Sequence, residues 1–170
     1  MIHQKREVQK SSPKDCVKQK DMLDHLMEAV DDENGQRMDE GELRGQVFVF
    51  MLAGHETSSV SLSWTLYFLA QYPEIQDKVR REIKEKLKDS ELIWDTFEAM
   101  EYLTAVINES LRMRPPVAIL RRRVVKEDII LGYKIPQGSS VMLPLYSLHH
   151  FPNYWKDPEK FNPDRFLTPG

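Results

Sequence analysis

Apolar residues recur at three- and four-residue steps from about residue 15 to residue 114 and then give way to short β-branched runs. Helices are therefore predicted first and a sheet afterwards. Residues 1–14 are polar, contain Pro13 and carry no period, so they read as a loose leader. Over residues 15–31, Met22, Leu26 and Val30, with Leu23 and Met27 beside them, form one stripe of an amphipathic helix. Asp32-Glu33-Asn34-Gly35 ends it with turn-forming residues. Asp39 followed by Glu42 resembles a capping box with Asp in the Ser/Thr position, and an apolar run over residues 47–53 begins soon after. Nothing breaks the helix before Pro73, so one long helix over residues 39–72 is predicted, about 30 residues and on the order of 50 Å. Apolar residues nearly all round it predict a buried spine rather than a surface-laid helix.

Pro73-Glu74 suits the first turn of another helix, in which Ile75, Val79, Ile83 and Leu87 repeat every four residues while Lys, Arg and Glu cover the other side. That spacing predicts a surface helix. After a polar break at Asp89-Ser90 and a short turn over residues 96–100, Leu103, Val106, Ile107, Ser110 and Leu111 mark a helix over residues 102–114, halted by Pro115-Pro116. Residues 123–125, 128–131, 133–135 and 139–146 are short β-branched-rich runs separated by Gly132 and by Pro136-Gln137-Gly138. They predict a small antiparallel sheet over residues 117–146. Residues 151–166 are dense in Pro and aromatics and read as an irregular, packed loop. The fold class is mainly α with a small antiparallel sheet.

The chain has 170 residues, 24 Lys+Arg against 27 Asp+Glu, and a net charge of −3. It offers no basic field for a phosphate backbone, so nucleic acid is not an expected partner. Cys16 is the single cysteine and cannot close an intrachain disulfide, which fits a reducing compartment. The polar start, His3-Gln4-Lys5-Arg6-Glu7, carries no targeting signal or anchor. Residues 45–72 are the most apolar region, but Gly54-His55-Glu56-Thr57-Ser58-Ser59 followed by Ser61, Ser63 and Thr65 argues against a membrane span.

That polar insertion conflicts with burial, since an unpaired buried carboxylate costs several kcal/mol and Gly costs about 1 kcal/mol against Ala in a helix. One reading is a polar face turned toward another helix or water. The sharper one is a helix crossing a cavity, where Ala53 and Gly54 admit a flat ligand and Glu56-Thr57 set an acid beside a hydroxyl for proton delivery. A zincin-type metal site fails, because the position four after His55 is Ser59. His3, His25, His149 and His150 show no ligand spacing either, so no metal site is assigned.

Glu109-Ser110-Leu111-Arg112 places an acid and a base three apart on a helix. A further arginine, Arg165, sits in the Pro/Phe loop Phe161-Asn162-Pro163-Asp164-Arg165-Phe166. Paired with Glu109 it would complete a Glu–Arg–Arg cluster pinning loop to helix by charge-assisted bonds, a structural role. Asn108-Glu109-Ser110 fits the glycosylation pattern, but within a helix it reads as chance.

In this order and spacing, Ala53-Gly54-His55-Glu56-Thr57-Ser58, Glu109-x-x-Arg112 and Pro163-Asp164-Arg165-Phe166 resemble the cytochrome P-450 haem-thiolate monooxygenases of the eukaryotic microsomal type. The resemblance extends over residues 22–166, including Tyr102-Leu103, Lys134-Ile135-Pro136-Gln137-Gly138 and the run from Tyr154 to Phe161. It implies that the long helix passes over the distal face of a haem and that Ala53-Gly54 leave room for dioxygen. It implies Glu56 and Thr57 as the acid–alcohol pair that relays protons, and Arg123 as a holder of a haem propionate. Glu109, Arg112 and Arg165 match the family's structural cluster.

The family's Cys-ligand loop, which supplies the axial thiolate, follows the Pro-x-Arg-Phe segment and is expected beyond Gly170; Cys16 sits at the other end of the chain. Residues 15–170 are accordingly expected to be an internal or C-terminal-half part of that fold, without the amino-terminal membrane anchor and early helices. The resemblance implies haem as cofactor, an apolar small-molecule substrate with dioxygen, and an NADPH-dependent reductase at the cytosolic face of the endoplasmic reticulum membrane. It also implies little activity for the chain alone. Val117 to Leu120 do not select a substrate. The rival expectation is a non-enzymatic helical interaction fragment without haem, with residues 53–58 as a polar packing face.

Overall fold

The computed structural model describes residues 20–30, 35–87 and 94–167. The expected leader over residues 1–14, Cys16 and the breaks at residues 32–34 and 89–90 lie outside the described residues. The fold is mainly helical with short antiparallel ladders, and the chain divides into two units, Met1–Leu52 and Ala53–Gly170.

In the first unit, α1 (Met22–Glu28) is shorter than the predicted stripe because it starts at a local stop signal. Asp21 accepts from the Asp24 N–H at 3.1 Å and the Asp24 carboxylate accepts from the Asp21 N–H at 3.0 Å, a reciprocal cap. Leu23 is its buried residue. The long helix α2 (Glu40–Gln71) begins at the second such cap. There Asp39 accepts from the Glu42 N–H at 2.8 Å and Glu42 accepts from the Asp39 N–H at 2.9 Å.

The length of α2, 32 residues, agrees with the sequence pattern. Its expected burial does not. Phe48, Val49, Phe50, Met51, Leu52, Leu62, Leu66 and Tyr67 are exposed, and the buried side chains of α2 are Leu43, Thr65 and Phe68. Apolar residues all round a helix show that several neighbours are needed to bury it, and the described residues cover only a narrow strip of it. Among the described residues, no helix is long and apolar enough to cross a membrane.

In the second unit, α3 (Pro73–Leu87) uses Ile75 and Val79 as its buried edge, as its four-residue spacing requires. A short helix, α4 (Trp94–Glu98), replaces the turn expected over residues 96–100. Next comes α5 (Glu101–Met113), whose buried face is Ala105, Val106, Glu109, Ser110, Arg112 and Met113. The core joins Phe68 of α2, Ile75 and Val79 of α3, Val106 and Met113 of α5, and Phe161 of the C-terminal loop. Phe161 stacks on Phe68 with centroids 4.4 Å apart and on Tyr72 at 5.5 Å. Such pairs add about 0.5–1.5 kcal/mol beyond area burial and tie the loop to the end of α2.

The predicted single sheet resolves into two ladders. β1 (Ile119–Arg123) pairs antiparallel with β4 (Ser140–Pro144), with Arg121 opposite Met142 and Arg123 opposite Ser140. β2 (Asp128–Ile130) and β3 (Tyr133–Ile135) form a separate hairpin between them. Two sequence boundaries are corrected. The first strand starts at Ile119 rather than at 123, so Arg123 ends it. The last strand stops at Pro144, and α6 (Leu145–His149) takes up Tyr146 instead. The hairpin closes through Leu131 and Gly132, both left-handed at φ 51° and 84°, as a two-residue hairpin turn demands. The last described element is a 3-10 turn, Pro163–Phe166, capped by the Asn162 side chain accepting from the Asp164 N–H.

Candidate functional site

Helix α5 presents Glu109 and Arg112 to its buried face at a spacing of three, so the two side chains meet one turn apart. The Arg112 guanidinium donates through Nε to Glu109 Oε2 at 2.7 Å and through Nη2 to Oε1 at 2.9 Å, a bidentate fork. The Glu109 side chain is fully buried and that of Arg112 is 2% exposed. Two partners from the C-terminal loop complete the carboxylate: Arg165 Nε donates to Oε1 at 3.1 Å and the Asn162 N–H donates to the same oxygen at 2.8 Å. The structure thus brings Glu109, Arg112 and Arg165 together.

Each arginine carries more than the charge. Arg112 Nη1 donates to the His149 carbonyl at 2.8 Å and Nη2 to the Lys160 carbonyl at 3.3 Å. Arg165 donates to the carbonyls of Lys156, Asp157 and Lys160. Both guanidinium groups also lie against the Trp155 ring, at 5.1 and 5.9 Å from its centroid. A planar fork that makes four hydrogen bonds at once, to one carboxylate and to several carbonyls, is something Lys cannot do. The result is a junction of α5, the end of α6 and the loop over residues 155–165. Sequence reasoning gave no role to Asn162 or Trp155. The signal for Asn162 was legible, since Asn before Pro is an N-cap followed by an N1 proline.

The Ala53–Ser59 segment lies on α2. The Thr57 hydroxyl donates to the Ala53 carbonyl at 2.6 Å, Ser61 to Thr57 at 2.8 Å and Thr65 to Ser61 at 2.8 Å. Hydroxyls at this four-residue spacing share one face of the helix and compete for its carbonyls, which loosens the ladder locally. Thr57 is half-buried. Glu56 is exposed, and no cation pairs with its carboxylate among the described residues. Among the described residues, Glu56 faces solvent and Thr57 is only partly covered. Exposure also removes the desolvation cost that made the polar insertion anomalous.

Arg123 ends β1, with Arg121 two residues away on the same face and Arg122 on the other. All three are exposed, and no acidic side chain pairs with them among the described residues. Arg123 is therefore a guanidinium open to an anion.

Gly54 carries no Cβ, and one built there meets nothing within 4 Å, so this turn of α2 is open. The open guanidinium of Arg123 suits a propionate. Among the described residues no group of three or more His, Cys, Asp or Glu could hold a metal ion, and the one cysteine, Cys16, lies outside them. An open turn of helix and an unpaired guanidinium are groups of the kind a flat ring and its carboxylates require.

Comparison with known proteins places this arrangement. The whole chain, residues 1–170, matches the family described as Cytochrome P450. It is 40% identical over 151 residues to cytochrome P450 4F6 of Rattus norvegicus, covering 86% of this chain and 28% of that protein. With cytochrome P450 3A5 of Homo sapiens the identity is 43% over 157 residues, covering 88% and 31%. With cytochrome P450 3A16 of Mus musculus it is 43% over 146 residues, covering 85% and 29%. This chain belongs to the cytochrome P450 family. It spans less than a third of the length of these curated relatives.

Proposed function

We propose that these residues form the distal-helix and Glu–Arg-junction part of a haem-dependent monooxygenase that inserts one oxygen atom of dioxygen into an apolar substrate. The observation that carries the reading is the Thr57 hydroxyl turned onto the Ala53 carbonyl, one helical turn away, beside the side-chain-free Gly54. Family membership supports it.

When bound, haem supplies the redox chemistry that activates dioxygen. The chain's own contribution is to shape and to feed that place. Ala53 and Gly54 keep the helix face low, leaving room for a small gas molecule. The Thr57 hydroxyl donates its one proton to the Ala53 carbonyl, so its lone pairs are free to accept from a donor at that point, and it passes its own proton on only by leaving that carbonyl. Glu56 next to it, exposed to water, is the group that draws protons from solvent and returns to its charged form. Arg123 is the residue proposed to hold a propionate. Glu109, Arg112 and Arg165 are proposed as structural, since all three are spent on one another and on carbonyls.

An NADPH-dependent reductase is the proposed electron donor, and the cytosolic face of the endoplasmic reticulum membrane the proposed location of the full-length protein. The axial thiolate is proposed to lie outside the described residues. The experiment is the coupling ratio of the protein that contains this chain and its axial ligand. Thr57→Ala should raise oxygen consumed per product formed while leaving haem content unchanged, and Thr57→Ser should restore the ratio. Unchanged coupling in Thr57→Ala removes Thr57 from proton delivery.

A further inference from the structure

Helix α5 starts without a local cap. Its N-cap position is Met100, whose side chain makes no capping hydrogen bond, and the first N–H groups of any helix lack partners inside it. Two of those groups are taken by a side chain from a different helix. Glu82, near the end of α3, accepts the Tyr102 N–H on Oε1 and the Leu103 N–H on Oε2, each at 2.8 Å. One carboxylate thus closes two orphan donors at the positive end of the α5 dipole, where negative charge is favoured.

The same face of α3 holds a second contact. Lys78, one turn before Glu82, places Nζ 5.3 Å from the centre of the Tyr102 ring and 3.9 Å from the Asp164 carboxylate of the 3-10 turn. The start of α5 and the loop that carries Arg165 are therefore both referenced to α3. Glu109 lies seven residues, or about 10 Å of helix rise, beyond Tyr102. Its carboxylate must meet Arg165 Nε and the Asn162 N–H on a single oxygen. An axial slip of α5 by even a fraction of a turn would break both contacts at once.

We propose that Glu82 is a positioning residue: a cap supplied across two helices that sets the axial register of α5 and thereby the alignment of Glu109 with the Arg165 loop. It touches no reacting group, and the inference does not depend on what α2 binds. Two directional hydrogen bonds to backbone N–H groups define axial position more sharply than the non-directional apolar packing of α3 against α5.

The test is residue-resolved amide hydrogen exchange on the full chain, comparing wild type with Glu82→Gln and Glu82→Ala. In Glu82→Ala the Tyr102 and Leu103 amides should lose about tenfold in protection, the size of one capping interaction. The Asn162 amide, which is held by Glu109, should lose protection in parallel. Where Glu82→Ala does not fold, Glu82→Gln carries the test. It keeps one acceptor oxygen, so one of the two α5 amides should retain its protection while the other falls, again with Asn162 following. Unchanged protection at Tyr102 and Leu103 in either variant overturns the cap. Loss there with Asn162 unaffected overturns the positioning role. An equal loss at core amides such as Val79 and Val106 overturns it too, because it reports general destabilisation.

Discussion

Replacing Glu109 with alanine should be the most damaging single change in the second unit. The side chain is fully buried and accepts four N–H groups: Nε and Nη2 of Arg112, Nε of Arg165 and the Asn162 amide. Removing one member of a buried ion pair typically costs about 3–5 kcal/mol, because the remaining charge stays desolvated. Two facts place this case at the lower end of that range. Arg112 still has the His149 and Lys160 carbonyls as acceptors, and Arg165, whose side chain is 13% exposed, retains three carbonyls and access to water. The Asn162 N–H loses its acceptor, which adds about 1 kcal/mol. A loss of about 3–4 kcal/mol is expected, or on the order of 10 °C in melting temperature for a chain of this size. Urea unfolding followed by far-ultraviolet circular dichroism measures it, provided the slope is unchanged. The double variant Glu109→Leu with Arg112→Met removes the most deeply buried pair of charges and should recover part of the loss, with Arg165 and the Asn162 N–H still lacking their acceptor. A loss below about 1 kcal/mol for Glu109→Ala would show that the junction is not what holds loop to helix. A double variant as unstable as the single would show that the cost is cavity, not stranded charge.

Ser110 sits beside this junction with its Oγ buried and unbonded, so Ser110→Ala should be neutral or stabilise by up to about 1 kcal/mol in the same unfolding assay. Leu131 is 93% exposed and left-handed at the hairpin tip. Leu131→Asn should therefore raise the urea midpoint by the equivalent of about 0.5–1 kcal/mol, while Gly132→Ala should lower it by a similar amount. Burial, then the charges of Asp164, Glu74 and Glu82, raise the Tyr102 phenol above its ordinary value. Raising the folded-state value makes this contribution to stability fully present below about pH 10 and lost as pH climbs through the raised value. Tyr102→Phe should flatten that part of the alkaline unfolding profile, and an unchanged profile would contradict the burial argument.

How far the sequence carried the structure can be read from individual residues. The helices with a one-sided stripe were legible, because Ile75 and Val79, or Val106 and Met113, bury only one face. The start of α2 was legible in Asp39 and Glu42, since a reciprocal cap is a local interaction. Its burial was not, because an apolar residue such as Phe50 states that it needs cover without stating what covers it. The strand boundaries slipped for a similar reason: Ile119 and Leu120 precede three arginines, whose charge hid the ladder that backbone pairing with residues 140–144 creates. The Glu109 junction was legible in composition and spacing. The Glu82 cap was not, because its partner amides lie about 20 residues away and carry no side-chain signature.

The proposed haem wall on α2, with Ala53, Gly54, Glu56 and Thr57, is tested most directly by the reduced, carbon-monoxide-bound absorption spectrum of the protein that contains these residues together with an axial thiolate. The thiolate-type Soret band is expected, weakened in Gly54→Leu, which fills the side-chain-free place on the helix. A well-folded protein that takes up no haem, or a band indifferent to Gly54→Leu, would contradict it.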